Sequence, residues 1–121
     1  MIACIFLDYV VAFTFLGFAG LFEKRGKLTF IGTAIGTVAV MAARLLCHLI
    51  SGAVIWYELT KEWYADDPTH IVFSHGAWMY SLIYNGSFML PETAITVVAV
   101  LLLVKPLSNV VEKLGFSPAK K

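Results

Sequence analysis

Charge is what this chain has least of. Asp, Glu, Lys and Arg make up 14% of its 121 residues, against 60% hydrophobic, and mean hydropathy is +0.81. A soluble domain is nearer a quarter charged, so the composition excludes an ordinary soluble fold. The net charge of +1 gives no basic excess for nucleic acid. No GxxxxGK[ST] loop is present, so nothing reads as a nucleotide-binding loop. Cysteine is scarce too. Cys4 and Cys47 lie in apolar runs, at no metal-ligand spacing and with no His-Cys cluster beside them. Such thiols read as small hydrophobes rather than half of a disulfide. The first apolar run has no basic n-region and no cleavage site, which argues against a signal peptide.

What is abundant is long apolar sequence. Three membrane spans are expected, at about 1–22, 29–57 and 72–104, each above the roughly 20 residues needed to cross a bilayer. The second and third are long for one crossing and have room to tilt, protrude or break. Pro91 is placed to kink the third, because it removes a backbone donor and crowds the preceding turn. Gly17/Gly20 and Gly32/Gly36 offer close approach to neighbouring helices.

The loops orient these spans. Residues 23–27 are basic through Lys24, Arg25 and Lys27, and the tail carries Lys105, Lys113, Lys120 and Lys121. The 58–70 connection is acidic, with Glu58, Glu62, Asp66 and Asp67. By the positive-inside rule, the first loop and the 105–121 tail are cytoplasmic and the 58–70 loop faces out. Three spans then put the N-terminus outside. That placement, and the polar residues that three helices cannot surround, lead to the expectation of a single transmembrane domain that is part of a larger one or of an assembly.

The polar residues within the spans carry the functional argument. Ionisable groups in hydrocarbon cost at least a few kcal/mol each, so those that persist usually bind something or glue helices together. Asp8 is expected about 14 residues, or roughly 21 Å, above the cytoplasmic end of its span, and Arg44 about 15 residues, or roughly 22 Å, above the start of its own. The two are therefore expected to pair in the outer half of the bilayer. His48, Gly52 and Trp56 follow Arg44 at steps of four, on one face. Gly52 is expected to leave room for a flat ligand between an imidazole and an indole. Ser81, Asn85, Phe88 and Glu92 share a face of the third span. A stacking ring, a carboxylate, an amide and a hydroxyl at one level suit a small, planar, polar and cationic solute taken from outside. The bland readings are helix–helix glue for the polar groups and interfacial anchoring for Trp56 and Trp63.

At these residues a resemblance appears. Phe6-Leu7-Asp8-Tyr9-Val10-Val11-Ala12, running on to Leu16-Gly17-Phe18-Ala19-Gly20-Leu21-Phe22, resembles the fourth helix of the thiamine-specific S-component of energy-coupling-factor transporters. His48-Leu49-Ile50-Ser51-Gly52, ending in Trp56, resembles the fifth. Tyr80-Ser81-Leu82-Ile83-Tyr84-Asn85-Gly86-Ser87, continuing to Leu90-Pro91-Glu92, resembles the start of the sixth. The resemblance covers nearly the whole chain except the 58–74 loop and the tail. It implies an all-α integral membrane bundle, three transmembrane helices matching helices 4–6 of a six-helix protein. It implies a site of Asp8, Tyr9, His48, Gly52, Trp56, Tyr80, Ser81 and Asn85. Asp8 stands where the family usually has Glu and is one methylene shorter. Arg44 matches a basic partner of that carboxylate, usually Lys. Trp56 matches the indole that stacks on thiamine, and Tyr80, Ser81 and Asn85 match the wall reading its aminopyrimidine. Glu92 reads as structural, deeper and bonded to another helix.

The resemblance implies capture rather than chemistry, with no cofactor and no metal, in a multi-pass protein of the bacterial cell membrane. Thiamine and membrane lipid are the expected partners, with a transmembrane coupling subunit and ATPase subunits supplying energy. Two further readings stay open on sequence: a small homo-oligomeric proton-coupled exporter using Asp8 or Glu92, and a non-functional truncated remnant.

Overall fold

The computed structural model describes residues 2–22 and 28–114. Every regular element among them is helical. Helix α1 is a composite: an α-helical Ile2–Ile5, a π-helical Phe6–Val11, an α-helical Ala12–Thr14 and a 3₁₀ Phe15–Phe22. Helix α2 runs from Phe30 to Trp63 as an α-helical Phe30–Ser51, a π-turn Gly52–Trp56 and an α-helical Tyr57–Trp63. A single turn, α3, covers Ile71–Ser74, and α4 is the 37-residue helix Ala77–Lys113. Two stretches, Phe30–Trp63 and Ala77–Val110, are long and apolar enough to cross a membrane, and Phe6–Phe22 is a shorter apolar helix. The basic 23–27 loop and tail residues Lys120 and Lys121 lie outside the described residues.

The chain is an all-α membrane helical bundle, and α2 is its centre. Both α1 and α4 pack along α2 rather than chiefly on each other. Thr29 caps α2, its side-chain oxygen accepting from Gly32 N at 3.0 Å, as a good N-cap does. Gly36 sets the α1–α2 approach. A methyl there would run into the Ala19 carbonyl oxygen and come within 3.4 Å of the Phe22 ring. Gly17 and Gly20 face open space among the described residues instead of a neighbour. Ala12, Val40, Met41, Cys47, Ala53 and Met89 are buried between the helices. Much of the remaining apolar surface is exposed, including Ile95, Leu102 and Leu103 on the lower part of α4. So large an apolar exterior is expected where lipid, not water, is the solvent.

Two helices run on where the sequence offers an interruption. Helix α4 continues through both Pro91 and Pro106. Two residues past Pro91, Thr93 Oγ1 donates back to the Met89 carbonyl at 2.7 Å. Helix α2 extends to Trp63, six residues past the expected end at Tyr57. Thr60 is buried and donates to the Trp56 carbonyl at 2.7 Å, while Glu58 and Lys61 pair at 3.7 Å one turn apart. The polar residues that resemble a loop are the wet face of a continuing helix. A turn then closes on Asp67, whose carboxylate accepts from Thr69 Oγ1 at 2.6 Å and Thr69 N at 3.1 Å. Those hydrogen bonds, the hydroxyl first, hold the Asp67 carboxyl below its ordinary pKa.

Candidate functional site

The polar residues converge on one cavity of about 770 Å³, within the range usual for small-molecule sites. Helix α1 contributes Asp8, Tyr9 and Phe13; α2 contributes Arg44, His48, Gly52, Trp56, Thr60 and Trp63; α4 contributes Tyr80, Tyr84, Asn85 and Phe88. Tyr64, His70 and Ile71, from the segment joining α2 to α4, complete the aromatic end.

Asp8 is the hub. It sits in the π-helical turn of α1, and its side chain is 12% exposed. Oδ1 lies 3.0 Å from His48 Nδ1, and Oδ2 accepts from Ser51 Oγ at 2.9 Å and from the Trp56 indole N–H at 3.1 Å. A carboxylate is an acceptor only, so three donors of one helix compensate an acid on another.

The expected Asp8–Arg44 pair does not form. Arg44 Nη1 instead donates to Glu92 Oε1 at 3.0 Å. Helical geometry contributes. The eight residues of the 3₁₀ segment below Asp8 each rise about 0.5 Å more than α-helical ones, lifting Asp8 by about 4 Å to a level between Arg44 and His48. There it meets His48. The guanidinium also lies over the Phe13 ring, 5.1 Å from its centroid, and contacts Met41 Sδ at 3.3 Å. Its Nε is buried without a partner among the described residues. Glu92 does bond another helix, at the level of Arg44 and outside the cavity lining.

A second π-turn, Gly52–Trp56, shapes the α2–α4 contact. Such widened turns recur at functional sites. The Gly52 N–H is shared between the His48 and Leu49 carbonyls, and α4 adds a second donor to each: Ser81 Oγ to Leu49 at 2.9 Å and Asn85 Nδ2 to His48 at 3.2 Å. Gly52 permits this. A side chain there would collide with Ser81 Oγ and come within 2.8 Å of Asn85 Nδ2. The room expected between His48 and Trp56 is thus partly filled by α4. Ser81 is fully buried and does not line the cavity, so it fastens helices rather than forming the expected polar wall. Tyr80 lines the cavity while its hydroxyl reaches Thr60 Oγ1 at 3.4 Å.

The aromatic outer wall escaped the sequence reading. Trp63 sits 6.0 Å from Trp56, ring centre to ring centre, tilted by 60°. Tyr64 and His70 stack at 3.8 Å. With α2 continued to Trp63, positions 56, 60, 63 and 64 share a face. That spacing was the available signal, hidden by ending the helix at Tyr57. Trp63 lines the cavity, which removes it from the purely interfacial reading.

Against this geometry stand the comparisons. The family described as "Thiamine transporter protein (Thia_YuaJ)" matches residues 1–112. The thiamine transporter ThiT of Lacticaseibacillus paracasei is 37% identical over 115 residues, covering 83% of this chain and 50% of the relative. That of Bacillus subtilis is 31% identical over 106 residues, covering 80% of this chain and 50% of the relative. The chain spans about half the length of the curated relatives it matches. No solved structure gives a significant match. Matched over nearly all of its length, the chain belongs to the thiamine transporter protein family.

Proposed function

We propose that this chain contributes the ligand-capturing part of an energy-coupling-factor S-component, binding thiamine from the outer side of a bacterial cell membrane. The observation that carries the reading is the cavity itself. In a chain of this family, one space is lined by an indole, an imidazole, a carboxylate and an amide. An indole beside a carboxylate suits a planar cation, which gains about 1–2 kcal/mol from stacking and cation–π attraction when desolvated. Asp8, Tyr9, His48, Trp56, Tyr80 and Asn85 line the space, and Gly52 and Ser81 set its α2–α4 wall. Arg44 also lines the space and is held in place by Glu92.

In this reading the protein is multi-pass, with its C-terminus cytoplasmic and the acidic segment around Asp66 and Asp67 outside. Energy comes from a transmembrane coupling subunit and ATPase subunits. The test is calorimetric titration of the purified full chain in detergent with thiamine, riboflavin and biotin. Selective binding of thiamine is the expected result. Equal affinity for all three, or none for thiamine, sinks the reading.

A further inference from the structure

We infer that Asp8 is a positioning residue: it acts on the ligand through His48, whose Nε2 accepts a hydrogen bond from an N–H donor on the ligand. The inference deepens the thiamine reading and rests on it for the ligand arm of its test.

The argument starts from the accounting at the carboxylate. Two carboxylate oxygens offer about four lone-pair directions. Three are taken, by His48 Nδ1, Ser51 Oγ and Trp56 Nε1, all within 3.1 Å. The side chain is mostly buried, and aspartate is the shorter of the two acidic side chains. Asp8 therefore has little left to offer a ligand directly.

What it does to His48 is definite. An ionised carboxylate only accepts, so the hydrogen bond at 3.0 Å needs a proton on Nδ1. In a neutral imidazole the lone pair is then on Nε2. Fixing one ring nitrogen by bonding the other is the usual way a histidine is oriented for work. His48 lines the cavity, and its Nε2 has no partner among the described residues and is not sealed in protein.

Asn85 is treated in parallel. Its NH₂ donates to the carbonyls of His48 at 3.2 Å and Ser81 at 3.0 Å. Two carbonyl acceptors settle which end of the amide is nitrogen, and Oδ1 remains as a free acceptor. The N–H donors of His48 and Asn85 are thus consumed behind the wall. Toward the ligand these two residues keep one acceptor each, and they already touch through the Asn85–His48 bond. Two acceptors side by side match the two N–H bonds of an exocyclic aromatic amine.

Two measurements on the full chain test this. The first needs no ligand. With ¹⁵N-labelled histidine, NMR of the wild type shows His48 protonated on Nδ1. In Asp8→Asn the amide NH₂ faces Nδ1, and the proton moves to Nε2. A wild-type His48 carrying its proton on Nε2 overturns the inference whatever the protein binds. The second compares thiamine with its analogue in which hydrogen replaces the pyrimidine amino group. Wild type prefers thiamine by about tenfold or more, the usual consequence of leaving a buried group unpaired. Asp8→Asn and His48→Ala each abolish that preference, and the double variant loses no more than either single one. Additive losses would place Asp8 on the ligand itself, and equal losses for both ligands would make it merely structural. Either result overturns the inference. The expected tautomer together with no thiamine binding would instead sink the thiamine reading and leave the positioning of His48 standing.

Discussion

Among the described residues two acids bridge helices, and they are handled in opposite ways. Glu92 on α4 meets a full positive charge, Arg44, at 3.0 Å. Asp8 on α1 has no Arg or Lys in ion-pair reach among the described residues and is compensated by an imidazole, a hydroxyl and an indole. Glu92 lies outside the cavity lining, whereas Asp8 lies in it. A charged pair neutralises itself and leaves little field for a third party. A carboxylate that meets no guanidinium or ammonium is less fully compensated, and so keeps more attraction for a cation nearby. The first arrangement suits a clamp and the second a site. The same contrast sorts the hydroxyl and amide groups. Ser81 is spent on the Leu49 carbonyl, while Asn85 spends only its nitrogen.

The comparison breaks most sharply at Gly52, which holds the site and the clamp on one framework. Gly52→Val would drive a branched side chain into Ser81 Oγ and Asn85 Nδ2. Overpacking and the loss of the Ser81 and Asn85 bonds to α2 together cost about 3 kcal/mol. A lowered thermal midpoint in detergent and lost thiamine binding are both expected. An unchanged midpoint would show that α4 does not approach α2 at this residue.

Trp56 tests the site without the framework. Trp56→Ala should weaken thiamine binding by at least about tenfold, one decade being 1.4 kcal/mol, and remove most of the ligand-induced quench of tryptophan fluorescence. Its indole is also the third donor to Asp8, so the loss combines stacking with a loosened carboxylate. Trp63→Ala removes the partner ring at 6.0 Å and should cost less, about threefold, in line with an aromatic pair worth about 0.5–1.5 kcal/mol. Titration of the two variants side by side gives the order. A larger loss at Trp63 would move the stacking surface outward to the α2–α3 connection.

How far the sequence carried these assignments can be read from particular residues. The apolar runs announced the helices, and the i, i+4 ladder Arg44–His48–Gly52–Trp56 announced the face of α2 that lines the cavity. Asp8 was legible as a buried acid, but its partner was not. The partner depends on rise per residue, and nothing in Phe15–Phe22 signals a 3₁₀ segment in place of an α-helix. The same error of level set Glu92 apart from Arg44. Gly52 was legible as a missing side chain but not as what fills the gap, because the register of α4 against α2 is a tertiary choice. The outer aromatic wall was lost to one boundary. Glu58, Lys61 and Glu62 resemble a loop in composition and form a helix in the fold.

The smallest expected effect sharpens the comparison most. Glu92→Gln keeps an oxygen to accept from Arg44 and removes only the charge. The geometry of the clamp survives, and the guanidinium retains Met41 and the Phe13 face as neighbours. Thiamine affinity should change by less than about twofold, because a partly exposed pair contributes only about 1 kcal/mol or less and Glu92 itself lies outside the cavity lining. Asp8→Asn is chemically the same change, carboxylate to amide, made at the other acid. There the amide turns a donor toward His48 and the attraction for a cation is lost together with the fixed tautomer. If the two isosteric changes weaken thiamine binding equally, the division of the two acids into clamp and site is wrong. If Glu92→Gln alone does so, the ligand lies a turn lower than Trp56 and His48 place it, against Arg44.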